Sequence, residues 1–205
     1  FKKAEHPALV MKARKKRNKF NDLENRNILL KLSNLASSEW LMFADADERF
    51  DSHFPSPVSY TDSQEDIISF RLIHLWDREN TYRTDYPYSN KGIQEKYRMF
   101  RHLGHMQIHS QKRLHFPTLP FTADIKHSDV LILHYGRISP ELRKQKILFY
   151  QKHDTDGSQE SYKHLSDTNV KKGNLEKLHQ EGFKKPAQKE KAISFLRSFI
   201  QSLID

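Results

Sequence analysis

The sequence predicts an α/β domain in which a mixed sheet is flanked by helices. Short apolar runs of strand length, at 40–44, Ile67–Trp76 and 130–135, lie between stretches with helical signals at 21–36 and 139–151. The first run is apolar at every position and stops abruptly at Asp45-Ala46-Asp47-Glu48. A strand of that kind is expected to be buried on both faces, as in a parallel or mixed sheet with helices on each side.

The elements follow in order. Residues 1–20 are cation-rich, with Lys12, Arg14, Lys15, Lys16, Arg17 and Lys19 close together and no clear apolar period. Asn21 or Asp22 caps a helix that reads to about Ala36, with Ile28, Leu32 and Leu35 on one face. Residues 51–66 carry Pro55, Pro57 and several Ser, which mark a loop. Ile67–Trp76 reads as a second strand, and 77–95, polar and aromatic without a period, as a long functional loop. Residues 97–100, 114–116 and 130–135 are further strand candidates. Ser139-Pro140 supplies an N-cap and a proline at the first helical position, opening a helix to about Gln151. Residues 153–185 show no clear signal. A last helix over 187–204 places Ile193, Leu196, Phe199, Ile200 and Leu203 on one face.

Composition narrows the function classes. The 205 residues hold 35 Lys and Arg against 26 Asp and Glu, a net charge of +9. Such an excess favours polyanionic partners: nucleic acid, an acidic membrane surface, or phosphorylated small molecules. The absence of Cys excludes a disulfide framework, a thiol nucleophile and Cys-ligated zinc. Thirteen Phe, 8 Tyr and 2 Trp are too many aromatics for a disordered chain. No apolar run approaches the ~20 residues that span a bilayer. The first residues lack a signal-peptide profile, and the start at Phe1 gives the expectation of a trimmed or internal piece.

In an extended chain, residues two apart point the same way, so Asp45 and Asp47 can present their carboxylates together. Oxygen ligands at a strand end suit a hard divalent cation, Mg²⁺ or Mn²⁺, bound through carboxylates and substrate phosphates. The alternative is a solvated surface turn. Arg26 and Arg98 have the guanidinium chemistry for a diphosphate, or else pair with nearby carboxylates. His134 ends an apolar strand and is either a metal ligand or packed. For a base that takes a proton from a hydroxyl, Asp85 and Glu95 are the first candidates, with Asp77 and Asp124 behind them. Tyr82, Tyr86 and Tyr88 offer faces for a sugar ring or pack the loop; Trp40 and Trp76 read as core or sheet-edge residues.

Arg26-Asn27 on a helix, followed by 39–48 with its Asp-Ala-Asp-Glu, resembles the middle of the family-2 glycosyltransferases. Tyr82-Arg83-Thr84-Asp85, Lys96-Tyr97-Arg98-Met99-Phe100-Arg101, His134-Tyr135-Gly136 and a basic helix over 143–150 follow in the order seen in a bacterial branch of that family. The resemblance covers about 20–156. It implies a partial glycosyltransferase A fold over 1–156, lacking the N-terminal nucleotide-binding half, and a C-terminal helical extension over 157–205. It further implies inverting transfer from a nucleotide-sugar donor, most simply a UDP-sugar, to a saccharide, lipid-linked or protein acceptor. The metal, Mn²⁺ or Mg²⁺, would be held by Asp45, Asp47 and His134. Arg26, Asn27, Ala46 and Arg98 would bind donor, and Asp85 or Glu95 would be catalytic. A cytoplasmic protein of polysaccharide biosynthesis is expected, with peripheral contact at the inner membrane face as a secondary expectation.

The rival readings are weaker. The basic run at 12–19 and the pairs Lys171-Lys172 and Lys184-Lys185 could meet nucleic acid, but no recognition-helix, zinc-finger or RNP-type pattern accompanies them. A haloacid-dehalogenase-type phosphohydrolase wants Thr or Val where Arg49 stands. His105 and His109 have zinc-like helical spacing, but Met106 occupies the position of the required Glu. No Gly-x-Ser-x-Gly elbow occurs. A non-catalytic scaffold is the remaining alternative.

Overall fold

The computed structural model describes residues 21–34, 38–88, 90–112, 114–154 and 162–183. The basic run at 12–19, the Lys184-Lys185 pair, Leu35 and the helix expected over 187–204 lie outside them. The architecture is mixed α/β. Among the described residues, seven strands form one sheet: β1 (Trp40–Met42), β2 (Glu48–Phe50), β3 (Ile67–Trp76), β4 (Arg78–Arg83), β5 (Gln94–Arg101), β6 (Ile125–His134) and β7 (Lys172–Asn174). The helices are α1 (Asp22–Ser33), α2 (Pro140–His153) and α3 (Leu175–Glu181).

β3 is the centre of this sheet. It pairs antiparallel with β5 and β4 and parallel with β6, while β1 continues beyond β5 and β2 beyond β6. Its two faces are both covered. Ile68, Phe70 and Leu72 pack with Met99, Val130 and Ile132, whereas Ile67 joins Leu30, Phe43 and Phe100, and Ile73 and Leu75 meet Leu175 and Leu178 of α3. Alternation at period two therefore feeds separate hydrophobic layers.

The expectation of two-face burial belongs to β3 rather than to the run at 40–44. Only Trp40–Met42 is strand, at the sheet edge, where its antiparallel partner is β5 and Met42 is exposed. α1 begins at an Asn21 cap, whose side chain accepts from the Glu24 N–H. Its buried face is Arg26 and Leu30, not Ile28 and Leu32, because Leu30 inserts beside Phe43 and Ile67. The expected long loop at 77–95 contains β4, which forms a hairpin with β3 through Asp77 in the left-handed region, φ 64°. Asp77 is thereby turned toward Arg143 of α2. Residues 114–116 are not strand: Leu114 and Phe116 are buried, yet 102–112 and 114–124 run irregularly, held where Asn27 exchanges two hydrogen bonds with the Ile108 backbone. His105 and His109 are exposed in this irregular segment, not on a helix.

α2 carries the predicted Ser139 cap, which accepts from the Leu142 N–H. Its one buried side chain is Arg143, which bonds Asp77 and the Arg137 carbonyl and lies 4.1 Å over the Trp76 ring. Within the segment beyond 157, β7 adds to β4 and α3 packs Leu175 and Leu178 into the core. No described helix is long and apolar enough to cross a membrane.

Candidate active site

The sheet order determines where the Asp-Ala-Asp turn lies. β1 is beyond β5 on one side of β3 and β2 is beyond β6 on the other, so residues 43–47 must cross β3, from the level of Ile68 to that of His74. The crossing is tied down by three backbone bonds: Phe43 N–H to Arg98, Glu48 N–H to Asp45, and Tyr135 N–H to Asp47. The turn is therefore set over Arg98 of β5, His74 of β3 and His134 of β6.

Each carboxylate meets its own cations. Asp45 lies between two guanidiniums, with Arg26 at 3.2 Å and Arg98 at 3.1 Å. Burial pushes its carboxyl up, but Arg98 and Arg26 outweigh this and hold it below the ordinary value. Arg26 also bonds Asp22 at 3.0 Å and packs over Phe43, while Arg98 reaches Glu48 at 2.5 Å. Glu48 accepts from the Asp45 N–H as well, closing the turn, and burial raises its carboxyl despite Arg98.

Asp47 faces the other way along the cleft. Its Oδ2 is 3.0 Å from Lys146 Nζ on α2 and 3.4 Å from His134 Nε2. Burial again raises this carboxyl, and the Lys146 ammonium helps to bring it below the ordinary range. Gly136 makes the approach possible, since a Cβ there would lie 2.0 Å from Asp47 Oδ2.

The imidazoles form a chain with one self-consistent proton arrangement. Burial, with Lys146 adding to it, pushes the pKa of His134 down to about 3, and burial also holds His74 well below its ordinary value, so both are neutral near pH 7. Lys146 can only donate to His134 Nε2, 3.3 Å away, which leaves the His134 proton on Nδ1. That N–H donates to His74 Nδ1 at 3.0 Å, and His74 Nε2–H donates to Gln94 Oε1 at 3.2 Å. His134 thus turns a lone pair toward Asp47, the tautomer a metal ligand needs, with His74 as its outer partner.

Asp45, Asp47, His134, Arg26, Arg98 and Glu95 all line one cavity of about 560 Å³. A second cavity of about 580 Å³ shares Asp45, Lys96, Arg98 and His134 with it and continues to Tyr86, Tyr88 and Arg137. Both volumes lie within the range of small-molecule sites. The donor set fits a divalent ion best at Asp47 and His134, where an oxygen and a nitrogen already share the Lys146 ammonium. Asp45 is engaged by the arginines, and the three predicted ligands do not converge as a compact set within 4.8 Å.

The other predicted residues are distributed as follows. Glu95 lines the first cavity and is bonded by Ser69 at 2.8 Å and by His127. Asp85 lines neither cavity; it binds Arg83 at 2.6 Å and the Lys171 N–H. Arg83 is buried and also holds the His164 and Tyr86 carbonyls and Asp167, so this cluster fixes the loop wall. Asn27 pins Ile108 rather than facing the cavity, and Ala46 is exposed, with its carbonyl accepting from Arg49. Tyr82 is in the core; Tyr86, 84% exposed, and buried Tyr88 border the second cavity.

The cavity residues to which the sequence analysis gives no role include His74, Lys96 and Lys146. Helical spacing carries a signal for one, because Arg143, Lys146 and Tyr150 fall on one face of α2. Nothing local marks His74, whose role depends on the parallel register that sets it opposite His134. Compared with known proteins, the chain matches no family model and no curated sequence at a significant level.

Proposed function

We propose that the chain is a glycosyltransferase of glycosyltransferase A type that moves a sugar from a nucleotide-sugar donor, a UDP-sugar, to an acceptor hydroxyl with inversion. One observation carries this reading: Asp45 and Asp47 of the turn, both arginines, the strand-end His and Glu95, separated by up to 108 residues, line a single groove. That combination matches the needs of a leaving nucleoside diphosphate.

As the bond between the sugar C1 and the phosphate oxygen breaks, negative charge builds on the diphosphate. Arg26, Arg98 and Lys146 are fixed cations beside that charge and offset it without reorganising. A Mn²⁺ or Mg²⁺ ion at Asp47 and His134, with Asp45 adjacent, would supply Lewis-acid stabilisation of the same charge. Glu95, held by Ser69 and His127, takes the proton of the acceptor hydroxyl as that oxygen bonds to C1. The second cavity, walled by Tyr86 and Tyr88, gives the acceptor sugar an aromatic border.

The test is nucleotide release from a panel of nucleotide sugars with Mn²⁺, with and without saccharide acceptors. Release of UDP from one or more UDP-sugars, abolished by chelation, is the expected result. No turnover from any donor, together with no metal-dependent nucleotide binding, would overturn the reading.

A further inference from the structure

Away from the groove, Asp51, His53 and His179 bring a carboxylate oxygen and two ring nitrogens within 4.8 Å of one another. Asp51 follows β2, and its N–H bonds the Leu131 carbonyl of β6, so the sheet itself fixes its position. Its side chain is only 3% exposed. His179 comes from α3, 128 residues further along the chain, and its Nε2 lies 2.7 Å from Oδ2; His53 Nδ1 lies 3.0 Å from Oδ1. The His53 N–H also donates to Oδ1 at 2.9 Å, which orients the carboxylate.

The buried Asp51 carboxylate has no fixed cation beside it among the described residues. A buried carboxylate requires a positive partner. Among the described residues, no Lys or Arg nitrogen lies within 4.0 Å of Asp51, whose ion-pair partners are the two imidazoles alone. Those rings are stacked at 3.9 Å with 17° between their planes, a poor arrangement for two simultaneous positive charges. Neutral imidazole nitrogen together with carboxylate oxygen is the donor set of a borderline divalent ion. Three protein ligands with one open position is the pattern of zinc bound with a water. The His53 side chain is 62% exposed and opens that fourth position to solvent.

We propose that Asp51, His53 and His179 bind a zinc ion that clamps α3 to the turn after β2. Bound there, the ion fastens the β7–α3 segment, whose Leu175 and Leu178 complete one hydrophobic layer, to the strand that follows the Asp-Ala-Asp turn. The site is independent of the glycosyl-transfer reading, since none of its residues lines the groove.

The full chain is stripped with chelator, titrated with ZnCl₂ by calorimetry, and assayed for bound metal by mass spectrometry. Thermal unfolding is followed with and without the ion. The expected result is uptake of about one zinc per chain with a raised Tm. His53→Gln, at an exposed position, and His179→Gln each weaken this binding on the order of 100-fold or more, because even outer partners of a metal site contribute about 10–100-fold. His134→Gln, in the groove, retains it. The proposal is overturned if the native chain takes up no stoichiometric zinc, or if His53→Gln and His179→Gln bind it as the native chain does.

Discussion

Gly136→Ala isolates the geometry of the groove from the fold. The added Cβ would lie 2.0 Å from Asp47 Oδ2 and 2.5 Å from both Cε and Nζ of Lys146. Ordinary contact begins at 3.4 Å, so the carboxylate must retreat by about 1.4 Å, and the ammonium by about 0.9 Å. Both groups are ends of side chains, and the backbone at Gly136 is not in the left-handed region. The strain should therefore cost stability no more than about 1–3 kcal/mol, the range for overpacking. Function should suffer more. A displacement of about 1 Å in a catalytic constellation costs on the order of 100-fold in rate, or about 2.7 kcal/mol of barrier. Mn²⁺ affinity, followed by paramagnetic resonance, should fall alongside turnover, while circular dichroism stays native. A folded Gly136→Ala protein with native Mn²⁺ affinity and native turnover would refute the reasoning.

Further outcomes follow from the same contacts. Glu95→Gln should abolish acceptor-dependent turnover with little change in nucleotide binding, whereas Asp85→Asn should chiefly destabilise, by about 1–3 kcal/mol, because it removes one of the two carboxylates paired with buried Arg83; chemical denaturation beside kinetics separates the two, and the reverse pattern would make Asp85 the base. His134 stays neutral in the fold down to about pH 3, whereas an unfolded His gains its proton near pH 6.5. The unfolded chain thus binds more protons across that window, and stability should fall as pH drops from about 6.5, with a slope approaching about 1.4 kcal/mol per pH unit. His74 acts with the same sign, so urea midpoints at pH 7, 6 and 5 should decline, and a flat profile would count against two buried neutral imidazoles. Asn27→Ala leaves the Ile108 N–H and C=O without their partner and should cost about 1–3 kcal/mol, with hydrogen exchange quickening around 108; unchanged exchange there would deny Asn27 its pinning role.

What the sequence made legible was whatever is encoded locally. Ile67–Trp76 declared itself by apolar content and length, and α2 by Ser139-Pro140. Asp45, Asp47 and His134 were readable because each follows or ends an apolar run, so strand ends could be located without knowing the sheet. What depends on long-range pairing was hidden. Arg78–Arg83 has no apolar alternation and becomes a strand through hydrogen bonds to β3 and β7. His74 acquires its role from the β3–β6 register, across 60 residues of chain. Leu114 and Phe116 have the apolar character of strand residues, yet their backbone is irregular, with Phe116 packed beside Leu30 and Phe43 and Ile108 clasped by Asn27. Glu95 and Asp85 looked equivalent from sequence; Arg83 separates them by engaging only Asp85.

The central claim is that the Asp-Ala-Asp groove binds a nucleoside diphosphate through a divalent ion. Calorimetric titration of UDP into the chain with Mn²⁺ present or chelated tests it most directly, with Asp45→Ala plus Asp47→Ala as the paired variant. Binding that appears with Mn²⁺, disappears on chelation and is lost in the variant is the predicted result. UDP binding indifferent to both the ion and the two aspartates, or no UDP binding under any condition, would contradict it.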